Sequence, residues 1–237
     1  MTGTRRENRM IDAFILDFDG LICDTEGALV EAGRALFADH GVELPMDRWL
    51  QQIGLAGPSN FWVPWLEQAI GRPVDEAEVL AAFDALNQAR LATLEPNAGV
   101  VELLELADRK GIALGIASSS PTIWVEPLLD QLGLRPRFAT VVCREHAARA
   151  KPAPDLYLEA ARRLGVQPTG CAAFEDSHNG SLAAVAAGMT TVAVPNDVTE
   201  SQDFGHVDIV LASLVEVDLT SLESIAAHKA VLDRRSA

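Results

Sequence analysis

The sequence is poor in the residues that staple or chelate. It has three cysteines, Cys23, Cys143 and Cys171, far apart and in no C-x-x-C pair. An odd count without a framework argues against a disulfide scaffold and for a reducing compartment. The five histidines are scattered, so no zinc-ligand cluster is visible. No apolar run approaches the roughly 18–20 residues of a membrane span. The apolar stretch that follows TRRENRM is broken by Asp12 and Asp17, unlike a secretory signal. Basic residues are also scarce: 19 Lys and Arg stand against 34 Asp and Glu, a net charge of −15. That excess repels nucleic-acid backbones and anionic bilayers, leaving both as poor partners. The expectation is a cytoplasmic protein, monomeric or weakly dimeric. If it handles anions, it needs a local positive device such as a metal ion.

What is present suits a packed α/β fold. Hydrophobic residues make up 49% of the 237 and charged residues 22%, enough apolar side chain for a core. IDAFILDF (11–18) reads as a buried strand. From Thr25 to Leu94 the spacing turns helical: a first helix stops at Gly41, and others are expected around 46–53, 59–70 and 75–92, separated by Gly54, Gly57-Pro58 and Gly71-Arg72-Pro73. From Pro96 onward, strands at 112–118, 138–143, 171–176, 190–195 and 208–212 alternate with helices. One of these helices runs from Pro121, with Ser120 as its expected N-cap, to a stop at Gly133. Alternating, near-continuously apolar strands signal a Rossmann-like parallel sheet covered on both faces. The expected organisation is an α/β core (1–22 and 95–237) with an all-helical cap (23–94) inserted after the first strand. Such an insertion leaves from the strand ends where open α/β sheets bind ligands, and is placed to act as a lid.

Four strand ends carry reactive residue types. Asp17-Phe18-Asp19-Gly20 puts two carboxylates two residues apart, on one side of an extended segment. Such a pair can supply a nucleophile and a proton-transfer group, or two hard ligands for Mg²⁺; the plain alternative is a solvated acidic turn. Ser118-Ser119-Ser120 can grip phosphoryl oxygens or simply cap a helix. Lys151 in Lys151-Pro152-Ala153-Pro154 is a restrained cation, or a surface lysine in a proline turn. Glu175-Asp176-Ser177 follows an apolar strand and can hold a metal, or cap the next helix through Asp176 or Ser177.

Taken in order, D-x-D-G, Ser, K-P-x-P and E-D, each at a β-to-α junction, resemble the haloacid dehalogenase (HAD) superfamily, in its phosphatase and β-phosphoglucomutase-like branch. The resemblance runs through DFDGLICDTE, the helical insertion, IASSS, AKPAPDLYL, FEDSHNG with AAGM, and TVAVPN. It implies Asp17 as a nucleophile forming an aspartyl-phosphate, and Asp19 as the acid that protonates the leaving oxygen and then activates water. Mg²⁺ is implied at Asp17, the backbone carbonyl of Asp19, and Asp176, with Glu175 a ligand or a partner of one. Ser118 and Lys151, with Ser119 beside them, are implied to bind the phosphoryl oxygens. In an acidic chain, Mg²⁺ and Lys151 then supply the positive charge that phosphoryl transfer requires.

Departures within the family narrow the reading. Dehalogenases lack an acid at the position of Asp19, and the phosphonate-cleaving branch uses a cap lysine, whereas 25–94 contains no lysine. β-Phosphoglucomutases carry a histidine twelve residues after the nucleophile, here Leu29, and a cap arginine, here Gly57. The expected function is a Mg²⁺-dependent phosphatase acting on a small phosphorylated metabolite, a sugar phosphate by analogy with the family. A mutase is the alternative, and a non-catalytic binding module on the same scaffold the remote one. In the cap, Trp49, Phe61, Trp62 and Trp65 either face an organic leaving group or form cap core. Arg34, Arg48, Arg72 and Arg90 are its basic residues besides His40, and nothing in the sequence says which points inward.

Overall fold

Apolar strands alternating with helices form a six-stranded, wholly parallel sheet in the computed structural model, which describes residues 9–52 and 60–236. The strands are β1 (Ala13–Leu16), β2 (Ala113–Ala117), β3 (Thr140–Val142), β4 (Cys171–Glu175), β5 (Thr190–Ala193) and β6 (Ile209–Val210). Their spatial order is β3-β2-β1-β4-β5-β6. The order reverses between β1 and β4, the topological switch point where open α/β sheets bind ligands. Helices α1 (Thr25–Asp39), α2 (Met46–Leu50), α3 (Val63–Ile70) and α4 (Glu76–Leu91) lie between β1 and β2, and the described residues of this stretch contain no named strand. α5 (Val100–Lys110), α6 (Thr122–Gln131), α7 (Asp155–Leu164), α8 (His178–Ala186) and α9 (Leu219–Ser236) accompany the later strands. The expected separators Gly54 and Gly57-Pro58, and the position compared with the mutase arginine, lie outside the described residues.

The two faces of the sheet differ in size. Phe14 and Leu16 of β1, with Ile116 and Phe174, point into a large-residue layer with α5, α6 and α9. Phe14 meets Phe174 edge to face, with ring centroids 5.2 Å apart. Ala13, Ile15, Ala117 and Ala173 point the other way, onto Ala160 and Ala161 of α7 and Ala183 and Ala184 of α8. Alanines on both sides let those two helices lie close against the strand ends, which matters because α7 and α8 follow the lysine and the second acidic motif. A third apolar cluster belongs to the helical stretch 25–94: Phe37, Trp49, Trp62, Leu66, Val79 and Phe83 are buried together, and Trp62 stacks on Phe83 at 4.9 Å.

Helix stops follow the expected chemistry. α1 ends with Gly41 at φ +75°, and α6 is followed by Gly133 at φ +69°. The start of α6 differs from expectation. Pro121 occupies the cap position without a side-chain bond, and the Thr122 amide donates to Glu145 at 3.1 Å. Ser120 does not cap; its hydroxyl instead donates to the Asp19 carboxyl at 2.7 Å. At the start of α8 the cap is Ser177, which accepts from the Gly180 amide, and not Asp176. Among the described residues no helix is long and apolar enough to cross a membrane.

Phe14 is fully buried at the centre of the larger layer. Phe14→Ala is expected to lower unfolding stability by about 3–5 kcal/mol, read from urea denaturation with an unchanged denaturant slope. A loss below about 1 kcal/mol would contradict this packing.

Candidate active site

The sheet ladder delivers the reactive residues. Beyond β1 the Asp17 amide still donates to the Phe174 carbonyl at 2.9 Å, and beyond β2 the Ser118 amide donates to Val142 at 2.9 Å. Both residues are therefore fixed by the backbone before their side chains make any contact. Gly20 then turns the chain at φ +79°, and a Cβ there would run into the Asp176 carboxylate and the Asn196 amide. Asn97 holds the same turn by donating to the carbonyls of Gly20 (2.9 Å) and Leu21 (3.0 Å).

Lys151 arrives from the far side of β3, on a loop with a cis Lys151–Pro152 peptide, and is only 4% exposed. Its ammonium bonds Asp17 and, at 2.5 Å, Glu175, and it lies over the Tyr157 ring at 5.1 Å. Glu175 has both oxygens engaged. Oε1 takes Lys151 and the Tyr157 hydroxyl (2.9 Å), while Oε2 takes the amides of Asp176 and Ser177 and the Ser177 hydroxyl, at 3.0–3.2 Å. The chain closes over this carboxylate at Gly180, where a Cβ would overlap it.

Asp17, Glu175 and Asp176 are all buried, with ligand atoms within 4.8 Å of one another. Asp176 has one further partner, the Asn196 amide, which donates to Oδ2 at 2.8 Å. Burial pushes the Asp17 carboxyl up to about 8; Lys151 opposes the shift, and Glu175 and Asp19 add to it. Asp176 is raised well above the usual carboxylate range by burial, then by Glu26 and Glu175. Burial works against charge on Lys151, but Asp17 and Glu175 outweigh it and hold the ammonium above the ordinary lysine range. One lysine cannot balance this many buried carboxyls once they ionise, which is why Asp17 and Asp176 hold their protons so firmly without a cation. Hard oxygen donors gathered this way suit a divalent cation such as Mg²⁺; Asp17 and Asp176 have the freer oxygens to offer, since those of Glu175 are taken.

Asp19 lines the same cavity as Asp17 but turns toward β2. Its Oδ1 accepts from the Thr25 hydroxyl (2.9 Å) and the Trp124 indole (2.8 Å), and its Oδ2 from Ser120 (2.7 Å) and Ser118 (3.2 Å). The Ser118 hydroxyl, which also accepts the Ser120 amide, is thus occupied. The Ser119 hydroxyl is buried without a partner in the cavity wall. The structure therefore gathers every residue singled out in the four motifs around one cavity of about 200 Å³ or directly behind its wall.

The helical stretch supplies the opposite wall. Trp49 and Phe61 line the cavity, while Trp62 is buried in the helical core and Trp65 packs edge-on to Phe61. None of the four cap arginines reaches it. Arg34 and Arg90 border a separate, wider cleft, where Arg90 pairs with Glu31; Arg48 bonds Gln68, and Arg72 is exposed. Sequence reasoning missed Tyr157, Trp124, Asn196 as an Asp176 partner, and Glu26. Tyr157 sits two residues past the proline turn with nothing to distinguish it from core. Glu26 reads as an ordinary acid in a helix first turn. Cys23 is fully buried beside this site, and burial with the charges of Asp19 and Asp24 raises its thiol far from the reactive range.

Comparison with known proteins agrees with this geometry. A profile of haloacid dehalogenase-like hydrolases matches residues 11–188. The chain is 40% identical over 213 residues to "Putative phosphatase YhcW" of Bacillus subtilis, covering 90% of this chain and 96% of that one. It is 32% identical over 231 residues to hexitol phosphatase B of Escherichia coli, covering 90% and 97%. A crystal structure of CbbY from Rhodobacter sphaeroides in complex with xylulose-(1,5)bisphosphate superimposes with a TM-score of 0.73 at 27% identity, over 90% of this chain and all of that one.

Two outcomes are expected. Asp17 has an ordinary pKa of 3.8 when unfolded and about 8 when folded without a cation, so the folded state binds more protons between those values. Stability of the metal-free protein should then fall as pH rises across that window. Mg²⁺ competes with those protons, so the rise in Tm on replacing EDTA with excess Mg²⁺ should be larger at pH 8 than at pH 6. Equal shifts at both pH values would argue against ligation by these carboxylates. Gly20→Ala should abolish the Mg²⁺-induced Tm shift, because its methyl occupies the position of the Asp176 carboxylate; a retained shift would contradict that packing.

Proposed function

The chain belongs to the haloacid dehalogenase-like hydrolases, and on that footing we propose that it is a Mg²⁺-dependent phosphatase of small phosphomonoesters, sugar or polyol phosphates foremost. The observation that carries this reading is the buried Lys151–Asp17 pair with Asp176 beside it, at the floor of one cavity. The names of relatives, hexitol phosphatase B among them, support the substrate class.

In this reading the Asp17 carboxylate attacks phosphorus in line, and the bond from phosphorus to the leaving oxygen breaks. Lys151 and the Ser119 hydroxyl hold the equatorial oxygens, Ser118 steadies Asp19 and the Ser120 amide beside them, and Glu175 and Tyr157 align the lysine. Asp19 delivers a proton to the leaving oxygen. It then takes one from the water that hydrolyses the aspartyl-phosphate, releasing phosphate and restoring Asp17. A Mg²⁺ bound by Asp17, the Asp19 carbonyl and Asp176 supplies the remaining charge neutralisation. Residues 1–22 and 95–237 form the catalytic core, and 23–94 a cap whose closure keeps bulk water from the phosphoryl group.

The mutase alternative needs a cation for a second phosphate. Lys151 is the only cationic side chain lining the cavity among the described residues, and residues 53–59, IGLAGPS, contain none. The same shortage sets this chain apart from a binder of bisphosphates such as the CbbY complex, and favours monophosphates. A non-catalytic module would have no use for a lysine buried against the nucleophile.

Phosphate release should be measured over sugar phosphates, polyol phosphates, nucleotides and p-nitrophenyl phosphate. Activity is expected with Mg²⁺ and lost in EDTA. Asp17→Asn should reduce it by about a thousandfold or more, and Asp19→Asn by roughly 10²–10⁴-fold. No release from any of these substrates, or an Asp17→Asn enzyme of near-normal rate, would sink the proposal.

A further inference from the structure

The mechanism above leaves one acid in the cavity unused. Glu26 stands in the first turn of α1 and lines the cavity together with Lys151, Leu29, Trp49, Phe61 and Trp124. The residue as a whole is partly buried, but its Oε2 is out of solvent and has no hydrogen-bond partner. An unpartnered buried carboxyl is costly and is retained where something else supplies the donor. Among the described residues no cationic side chain besides Lys151 lines the cavity, and Lys151 already bonds Asp17 and Glu175.

We infer that Glu26 is the specificity-determining residue of this site, its carboxyl accepting hydrogen bonds from hydroxyl groups on an uncharged polyol or sugar leaving group. The inference rests on the phosphatase reading and deepens it. The cavity of about 200 Å³ has two kinds of wall. Toward the strand ends stand Asp17, Lys151 and Asp176, which serve the phosphoryl group. The helical stretch contributes Leu29, Trp49 and Phe61 with Glu26 and Gln52 as its polar lining groups among the described residues, the pairing that stacks the C–H face of a polyol and reads its hydroxyls. The volume lies below the roughly 300–1,000 Å³ of drug-sized ligand sites, as a small leaving group requires.

The test compares kcat/KM for sorbitol 6-phosphate with that for p-nitrophenyl phosphate, whose leaving group offers no hydroxyl array. In Glu26→Leu the ratio should fall by about ten- to a hundredfold, carried mainly by KM of the polyol phosphate. Glu26→Gln keeps an acceptor oxygen of the same reach and should recover most of the loss. Equal losses on both substrates would mean that Glu26 acts on the reacting centre and would overturn the inference. An unchanged ratio would overturn it too, as would a wild-type enzyme that hydrolyses p-nitrophenyl phosphate but not sorbitol 6-phosphate; in that last case the phosphatase reading stands. A wild type inert toward both substrates would bring down the two together. Circular dichroism and Tm of each variant separate these outcomes from unfolding.

Discussion

The buried ammonium of Lys151, shared between Asp17 and Glu175, is the contact around which the rest of the site is arranged. Removing these charges from water costs more than one ion pair returns unless every remaining valence is met. Glu175 meets its own with five donors, two of them amides at the start of the segment leading into α8. Tyr157 serves twice, with its hydroxyl on Glu175 and its ring beneath the ammonium. On the other side of Asp17 lies Asp176, and a divalent cation would let both carboxyls ionise together. The composition posed the same problem of surplus acid for the whole chain.

Holding that pair in place constrains the fold. Asp17 and Glu175 end adjacent strands, so β1 must pair with β4, and the lysine must reach them from beyond β3. Small residues make this possible. Alanines on one sheet face let α7 and α8 pack close. Gly20 and Gly180 leave room where the carboxylates of Asp176 and Glu175 come against backbone. Size alternation in β1, with Phe14 and Leu16 to one side and Ala13 and Ile15 to the other, is therefore part of the site as much as of the core.

The cavity is built from two kinds of element. Its floor hangs from ladder hydrogen bonds that run past the strand ends into Asp17 and Ser118. Its opposite wall is carried by helices with an apolar cluster of their own. Asp19 lies at the join: Thr25 at the start of α1 and Trp124 in α6 hold one oxygen, and Ser118 and Ser120 the other. A shift of α1 would therefore be felt first at this carboxylate.

Much of this was legible in the linear chain. Strand runs such as IDAFILDF and IALGIAS, and the D-x-D-G, Ser, K-P-x-P and E-D motifs at their ends, depend on local periodicity and local turn chemistry, which short stretches encode by themselves. The doubly covered parallel sheet follows from the same patterns. Strand order, the pairing of Lys151 with Asp17 134 positions away, and the approach of Lys151 and Tyr157 to Glu175 across 24 and 18 positions are not set by local pattern, and only tertiary structure decides those. Ser120 shows the difference well. Its neighbours Pro121 and Thr122 mark a helix start, yet a carboxylate 101 residues earlier in the chain captures its hydroxyl. Glu26 is the opposite case, an unremarkable first-turn acid until the fold closes a cavity over it. The sequence by itself determined which chemistry the strand ends could support, because residue type and spacing set that locally. Which acid pairs with Lys151, which also gathers the Tyr157 hydroxyl and the amides around it, and which is left without a partner were decided by burial and charge in the assembled site.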